Sequence, residues 1–526
     1  MSVPSATVPR AGRAPLRLRV ATVAGSALLG AATVPGFAPF YLWPLPILTL
    51  AALAWLIGRA PTPLRAAGIG YAFGFGFFIT GVSWVFVSMH DYGGMSVPVA
   101  GFATSFFCAY LALFPAAAAW VTARTPAGPA VRMAIVFPAA WMLSEWVRGW
   151  MFTGFPWLGI GYSQSPSGPL SGYAPLLGSY GVGLLAAMAA GLLAWWHPWQ
   201  AAWKGAGRLR QAVTHPAIGV LVLLAAAGIA LSMVNWTAPA GAPVTVSLAQ
   251  GNIKQDMKWR PESLRHTLET YLALTQQSRG RLILLPETAV PLFDVNVPEG
   301  YLDLLAQHAR ANGGDILLGI PELVDGSQPR YYNSVISLGT NPRQSYRKQH
   351  LVPFGDYFPQ WTFVTWVMNR MNIPMSSFSH GGTHQQPIAA AGQRVAVNIC
   401  YEDVFGEEII RQLPEATLLA NFTNDAWWGE SAASEQHLQM SQMRSQETGR
   451  YMLRATNTGV TAIIDARGRV VQSAPEFVTT VIEAEAQGFA GSTPYVRWGN
   501  WPVLGLLALM LVMPWIRRRR STDAIR

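Results

Sequence analysis

Charge is what this chain has least of. Asp, Glu, Lys and Arg make up 12% of its 526 residues, while hydrophobic residues make up 51%; ordinary soluble domains are about one quarter charged. An ordinary soluble globule is excluded, and immersion of a large part of the chain in lipid is implied. Acidic residues are scarcer still outside one stretch: 24 of the 27 lie between positions 241 and 490, alongside 19 of the 37 basic residues. That stretch carries about −5 and the remainder about +15, so the pI of about 9.7 describes the membrane part and argues against a nucleic-acid partner. Metal and nucleotide signatures are missing too. The histidines of His380-Gly381-Gly382-Thr383-His384 are separated by glycines that argue against one helical face, with no acidic ligand near. Neither a phosphate-binding Gly-Lys loop nor a dinucleotide fingerprint occurs. No metal or cofactor is expected.

The apolar residues fall into long blocks. A span needs about 20 predominantly apolar residues, and seven candidates precede position 240, at 18–36, 42–58, 66–88, 96–122, 132–151, 172–196 and 216–235, with an eighth at 499–516. Their Gly, Ala and Pro content suits helices that pack closely in lipid. Basic residues of short loops stay in the cytoplasm. They cluster at Arg10 to Arg19, at Arg59 and Arg65, at Arg124 and Arg132, at Lys204 to Arg210 and at Arg517 to Arg520. These are alternate connections. The expectation is therefore seven spans in 1–240, an extracytoplasmic domain in 241–490, and an eighth span with a basic tail in 491–526, both termini being cytoplasmic.

Cysteine is nearly absent, and this sharpens the remaining pair. Cys108 sits mid-span and cannot reach Cys400. An unpaired thiol in an oxidising space points to chemistry more than to structure. Around it, from Val244 onward, the pattern changes to short β-branched runs at 244–249, 282–285, 316–318, 333–338, 395–399, 417–421 and 461–464. These alternate with helical stretches at 261–277, 301–311, 405–412 and 434–454, giving an α/β layered domain.

Cys400 ends the apolar run Val395 to Ile399, Glu287 follows Arg281-Leu282-Ile283-Leu284-Leu285-Pro286, and Lys348 follows Tyr346-Arg347. Each is presented at the exit of a strand. A thiol near its usual pKa of about 8.5 is only slightly ionised at neutral pH and needs a base, which Glu287 supplies. Attack on an ester carbonyl creates an oxyanion, for which Lys348 and the Tyr401 N–H are the expected donors. Lys348 is also expected to lower the thiol pKa. Glu402, two residues on, is placed to position Lys348 or an acceptor amine.

Five segments resemble the nitrilase superfamily in order: Gln250-Gly251-Asn252-Ile253 with Lys258-Trp259; Leu285-Pro286-Glu287-Thr288; Tyr346-Arg347-Lys348 with His350-Leu351-Val352-Pro353-Phe354-Gly355; Asn398-Ile399-Cys400-Tyr401-Glu402; and Thr423-Asn424-Asp425-Ala426-Trp427. With seven spans before and one after, essentially the whole chain is similar to the apolipoprotein N-acyltransferases. The resemblance implies a four-layer αββα sandwich joined to a membrane helical bundle in the bacterial inner membrane, the active site facing its outer leaflet. It implies a phospholipid donor such as phosphatidylethanolamine, and as acceptor the α-amine of an S-diacylglyceryl cysteine on an apolipoprotein. It makes Tyr401 and Glu402 active-site residues and puts Asn333 and Trp259 near the pocket. Where the family pattern reads Phe-Gly-Glu-Tyr this chain has Phe354-Gly355-Asp356-Tyr357, and the carboxylate role passes to Asp356, shorter by one methylene. A monomer is expected.

The stretch from Trp361 to Met371 is too apolar for an ordinary loop and too short to span. Trp361, Phe363 and Trp366 there suggest an interfacial lid or lipid portal. The alternative function is a membrane-tethered amidase in which water resolves the thioester. A transporter is disfavoured by the few intramembrane ionisable residues, Glu145 being the clearest, and by the lack of a repeat.

Overall fold

The computed structural model describes residues 16–196, 215–258, 260–326, 329–358 and 377–523. Helices lie at all eight expected places: Leu16–Ala31, Pro44–Gly58, Pro63–Gly81 bending by 61° into Val85–Tyr92, Val97–Arg124, Pro129–Arg148, Ala174–Trp196, Pro216–Ser232 and Trp501–Asp523. By length and composition four of these are able to cross a membrane, Val97–Arg124, Pro129–Arg148, Ser171–Trp196 and Trp501–Arg519, or five with the bent pair. Small residues bring them together. A Cβ at Gly30 would stand 1.9 Å from the Phe73 carbonyl oxygen and one at Gly76 2.0 Å from that of Ala27, so the Leu16–Ala31 and Pro63–Gly81 helices meet backbone to backbone.

The strands are β1 (Thr237–Pro239), β2 (Val244–Gln250), β3 (Leu282–Leu285), β4 (Asp315–Val324), β5 (Arg330–Gly339), β6 (Ser345–Arg347), β7 (Ile388–Ala390), β8 (Gln393–Ile399), β9 (Leu418–Thr423), β10 (Met452–Thr456), β11 (Ala462–Ile464), β12 (Val470–Ser473), β13 (Thr480–Ala486) and β14 (Phe489–Gly491). Two six-stranded sheets result, in orders β13-β2-β3-β4-β5-β6 and β12-β11-β10-β9-β8-β7, and β1 pairs with β14. Each sheet has a parallel centre, β2-β3-β4 in one and β8-β9-β10 in the other, with antiparallel flanks. Parallel strands are buried on both faces, which is why Leu282 to Leu285 and Leu418 to Thr423 are buried throughout.

Val246, Leu284, Leu317, Val397, Leu418, Phe422 and Leu453 fill the space between the sheets. Helices Pro261–Gln277 and Tyr301–Ala311 cover the first sheet through Leu268, Tyr271, Leu274 and Leu305. Helix Ala433–Thr448 and the short Gly406–Ile409 cover the second through Leu438 and Ile409. The layers are helix, sheet, sheet, helix.

Two expected helices are shorter. The 434–454 stretch stops at Thr448, where Gly449 takes a left-handed φ of +62°, and β10 has begun by Met452. Of 405–412 only Gly406–Ile409 is α-helical, continued by a 3-10 turn.

Helix Ala433–Thr448 is largely polar and buried at every residue but Glu435, because one side faces the second sheet and the other the helical bundle. Trp157 donates its indole N–H to Gln436 at 2.6 Å, Gln439 receives Ala38 N–H at 3.0 Å and donates to the Ser165 carbonyl at 2.9 Å, and Ser179 N–H meets Glu447 at 2.6 Å. The α/β domain is thus seated on the bundle by hydrogen bonds that satisfy buried polar groups.

Candidate active site

Glu287, Lys348 and Cys400 leave three different strands and converge. Glu287 follows β3 by two residues, and its carboxylate receives Asn333 Nδ2 at 2.7 Å and Lys348 Nζ at 3.5 Å. Asn333 lies in β5, and its carbonyl accepts the Lys348 N–H at 2.8 Å, so one residue orients both the carboxylate and the lysine. Lys348 is 2% exposed, with Asp356 Oδ2 2.8 Å from Nζ. Asp356 also accepts the Val352 N–H at 2.8 Å. Aspartate therefore reaches the lysine because the 352–356 turn folds back toward it. Burial opposes the Lys348 cation, but Asp356 and Glu287 outweigh burial and hold it above the usual lysine range.

Cys400 opens a 3-10 turn after β8 with φ +53°, a left-handed conformation that costs strain in a non-glycine residue. The turn is fastened from behind. Asn421 Nδ2 donates to the Cys400 carbonyl at 3.0 Å and to Asn398 Oδ1 at 2.6 Å, while Arg454 Nη1 holds Asn421 Oδ1 at 2.8 Å. Arg454 also pairs with Asp425 at 2.8 Å, and His437 lies 2.6 Å from Asp403; all four groups are fully buried. Burial, then the Glu287 charge, push the Cys400 thiol well up; Lys348 lowers it by less, and Thr423 hydrogen-bonds it. The lowering expected from Lys348 is present and outweighed, so the resting sulfur is a thiol that needs its base at the moment of attack.

Glu402 does not meet Lys348 or open space. It has no exposed surface. Its carboxylate receives the N–H groups of Gln349 at 2.6 Å, His350 at 3.0 Å and Ile399 at 2.6 Å, and the Tyr346 hydroxyl at 3.1 Å. It staples the Lys348 segment to the nucleophile turn. Burial raises Glu402 to about 7 against the pull of those N–H groups. Tyr401 turns toward the bundle: its hydroxyl donates to the Gly154 carbonyl at 3.2 Å, and its ring lies parallel to Trp157 at 6.3 Å. His350 Nε2 sits 2.9 Å from the Thr153 carbonyl. The loop between two bundle helices thus touches the residues flanking both Cys400 and Lys348. Trp259, Trp361, Phe363 and Trp366 lie outside the described residues.

One buried group was passed over in the sequence as the mere neighbour of Trp259. Lys258 is 4% exposed and donates to the main-chain carbonyl of Glu287 at 3.0 Å. Its place in the ordered motifs was the available signal.

Two sheets with a Glu, Lys and Cys at their strand ends define a carbon–nitrogen hydrolase-type domain, here seated on apolar helices. The carbon-nitrogen hydrolase family model matches residues 245–495, and the model described as apolipoprotein N-acyltransferase N-terminal domain matches residues 29–192. Proteins named apolipoprotein N-acyltransferase are similar over nearly their whole length. That of Nitrosomonas europaea is 52% identical over 92% of this chain and 95% of its own. Those of Methylococcus capsulatus and Chromobacterium violaceum are 46% identical (95% and 97%) and 44% identical (96% and 96%). The chain belongs to the apolipoprotein N-acyltransferase family.

Proposed function

We propose that this protein moves an acyl chain from a phospholipid, phosphatidylethanolamine being the expected donor, to the α-amine of the S-diacylglyceryl cysteine of an apolipoprotein, through a thioester on Cys400. The observation that carries the reading is the convergence of the half-buried Cys400 with the buried Glu287 and Lys348, Asn333 and Asp356 fixing the last two. The Cys400 sulfur attacks the ester carbonyl as its proton passes to Glu287. The oxyanion collapses, the C–O bond breaks, and Glu287 returns the proton to the departing lysophospholipid oxygen. The amine then attacks the thioester, Glu287 takes a proton, and the C–S bond breaks to leave the amide and the sulfur, which recovers a proton.

Eight spans, with both termini cytoplasmic and 241–490 outside as a monomer, complete this reading. Its support is the alternation of basic loops and the helix at each of the eight positions.

Intact mass tests it. Phospholipid alone should add one acyl mass, hydroxylamine should remove it, and a diacylated lipopeptide should collect it. Cys400→Ala should abolish the adduct and Cys108→Ala, a change at a buried thiol, should not. Release of ammonia from small amides without any lipid-derived adduct would favour the tethered amidase instead.

A further inference from the structure

The two buried lysines of the site are not equivalent. Lys348 is compensated by Asp356 at 2.8 Å and Glu287 at 3.5 Å. Lys258 has, among the described residues, one acceptor, the neutral carbonyl of Glu287, and no carboxylate within ion-pair distance. An ammonium carries three hydrogens, so two are uncommitted. A buried cation with so little around it costs stability, and its persistence beside Glu287 points to a partner that arrives with the substrate.

Charge balance identifies that partner. At rest Glu287 and Asp356 are negative, the two lysines positive and the thiol neutral. Attack moves the thiol proton to Glu287 and places one negative charge on the former carbonyl oxygen of the ester. Asp356 still occupies Lys348. The cation left without a counter-charge is Lys258. Resting on the Cys400 thioester reading, we propose that Lys258 is a further catalytic residue, donating an N–H to the oxyanion formed when the thiol attacks the donor ester, and again when the amine attacks the thioester.

Its segment is held for that task. Asn252 N–H reaches the Asn457 carbonyl at 2.8 Å, Ile253 N–H reaches Asn457 Oδ1 at 2.9 Å, and Asn424 Nδ2 reaches Gln255 Oε1 at 2.7 Å. Residues 252–258 are thereby tied to the ends of both sheets, so the donor needs little reorganisation on reaction. Burial holds Lys258 down to about 8, with Glu287 and Cys400 opposing, while Lys254 and Asp256 of its own turn face solvent. It is a cation below that value and neutral above it. Its contribution is present at neutral pH and lost as pH rises through about 8, where Lys348, held above its usual range, does not titrate.

The test is single-turnover acylation of the full-length protein in detergent, followed by intact mass without acceptor. Lys258→Met should slow adduct formation by about 100-fold, equally for a phospholipid and for a phosphate-free ester such as p-nitrophenyl palmitate, and Lys258→Arg should recover most of the rate. The wild-type rate should fall between pH 7 and 9.5, and this measurement needs no variant. Rates for Lys258→Met within about threefold of wild type, or a wild-type rate that stays level or climbs across that range, would overturn the assignment. A loss confined to the phospholipid would place the ammonium on the donor phosphate and overturn it equally. Absence of any adduct on the wild type would instead sink the Cys400 reading itself.

Discussion

Glu402 has no surface and four donors: two N–H groups on Oε1, and an N–H and a hydroxyl on Oε2. A glutamine has the same shape and one oxygen fewer. Whichever way the amide turns, its NH2 faces at least one N–H that has no other acceptor here, and an unsatisfied buried donor costs about 1–3 kcal/mol. Glu402→Gln should therefore lower stability by about 2–4 kcal/mol and acylation by at least about tenfold, since Gln349 and His350 adjoin Lys348; thermal unfolding and adduct formation measure both. The pH sign follows from the raised pKa. Folded Glu402 holds its proton up to about 7 and the unfolded carboxyl only to the usual 4.5. This group's favourable contribution is full below about 4.5 and lost as pH rises through 7, a slope the glutamine variant lacks. Glu287 and Cys400 were legible in the chain because each follows an apolar run that ends in polar residues, whereas Lys348, preceded by Asn341 to Arg347, was legible through the order of the motifs. The Glu402 staple was not, because its partners are backbone N–H groups some fifty residues away that no side-chain pattern announces.

At the scale of elements, the Ala433–Thr448 helix departs most from what its sequence implies. Ser434, Gln436, His437, Gln439, Ser441, Gln442 and Arg444 would ordinarily mark a solvated helix, yet all are buried. The period placed the start of the helix, though the helix ends at Thr448 and not at 454. Its environment was hidden, because the acceptors for three of its four glutamines are carbonyls of the bundle, at Gly81, Ser165 and Pro166. The strands were readable where β-branched and apolar runs were continuous, as at β3 and β8, and the short flanking strands β6, β7 and β12 were not, having only three or four residues each. Gln439→Leu tests the seat. It would strand the Ala38 N–H and the Ser165 carbonyl in a buried contact, costing about 2–5 kcal/mol. The expected result is a lower unfolding temperature in detergent and faster proteolysis between bundle and domain. An unchanged melt would mean that the helix is held by its sheet-facing side alone.

For the whole molecule, the seat decides whether the bundle is more than an anchor. Tyr401, Val404, Phe405, Trp428, Met440 and Met443 belong to the same apolar cluster as Trp84, Trp157 and Tyr162 of the bundle. The Cys400 turn is held from the bundle as well, through Tyr401 to Gly154 and Tyr162 to the Val404 carbonyl at 3.0 Å. Cutting the chain to 241–490 would expose that cluster together with the glutamine face, and nothing would hold the strained turn from the membrane side. The excised domain should consequently aggregate or, if kept soluble, acquire no acyl adduct on Cys400. An excised domain acylated within about threefold of the full-length rate would reduce the bundle to a tether. The companion measurement is orientation. Among the described residues, Trp501–Arg519 is the one candidate span between Ala240 and the tail, and Arg517 to Arg520 stand at its end. A reporter fused after Ala240 should therefore register outside and one after Arg520 inside, whatever the number of earlier spans. Both reporters on one side would mean that the last helix does not cross, and the catalytic domain would then share a compartment with its basic tail.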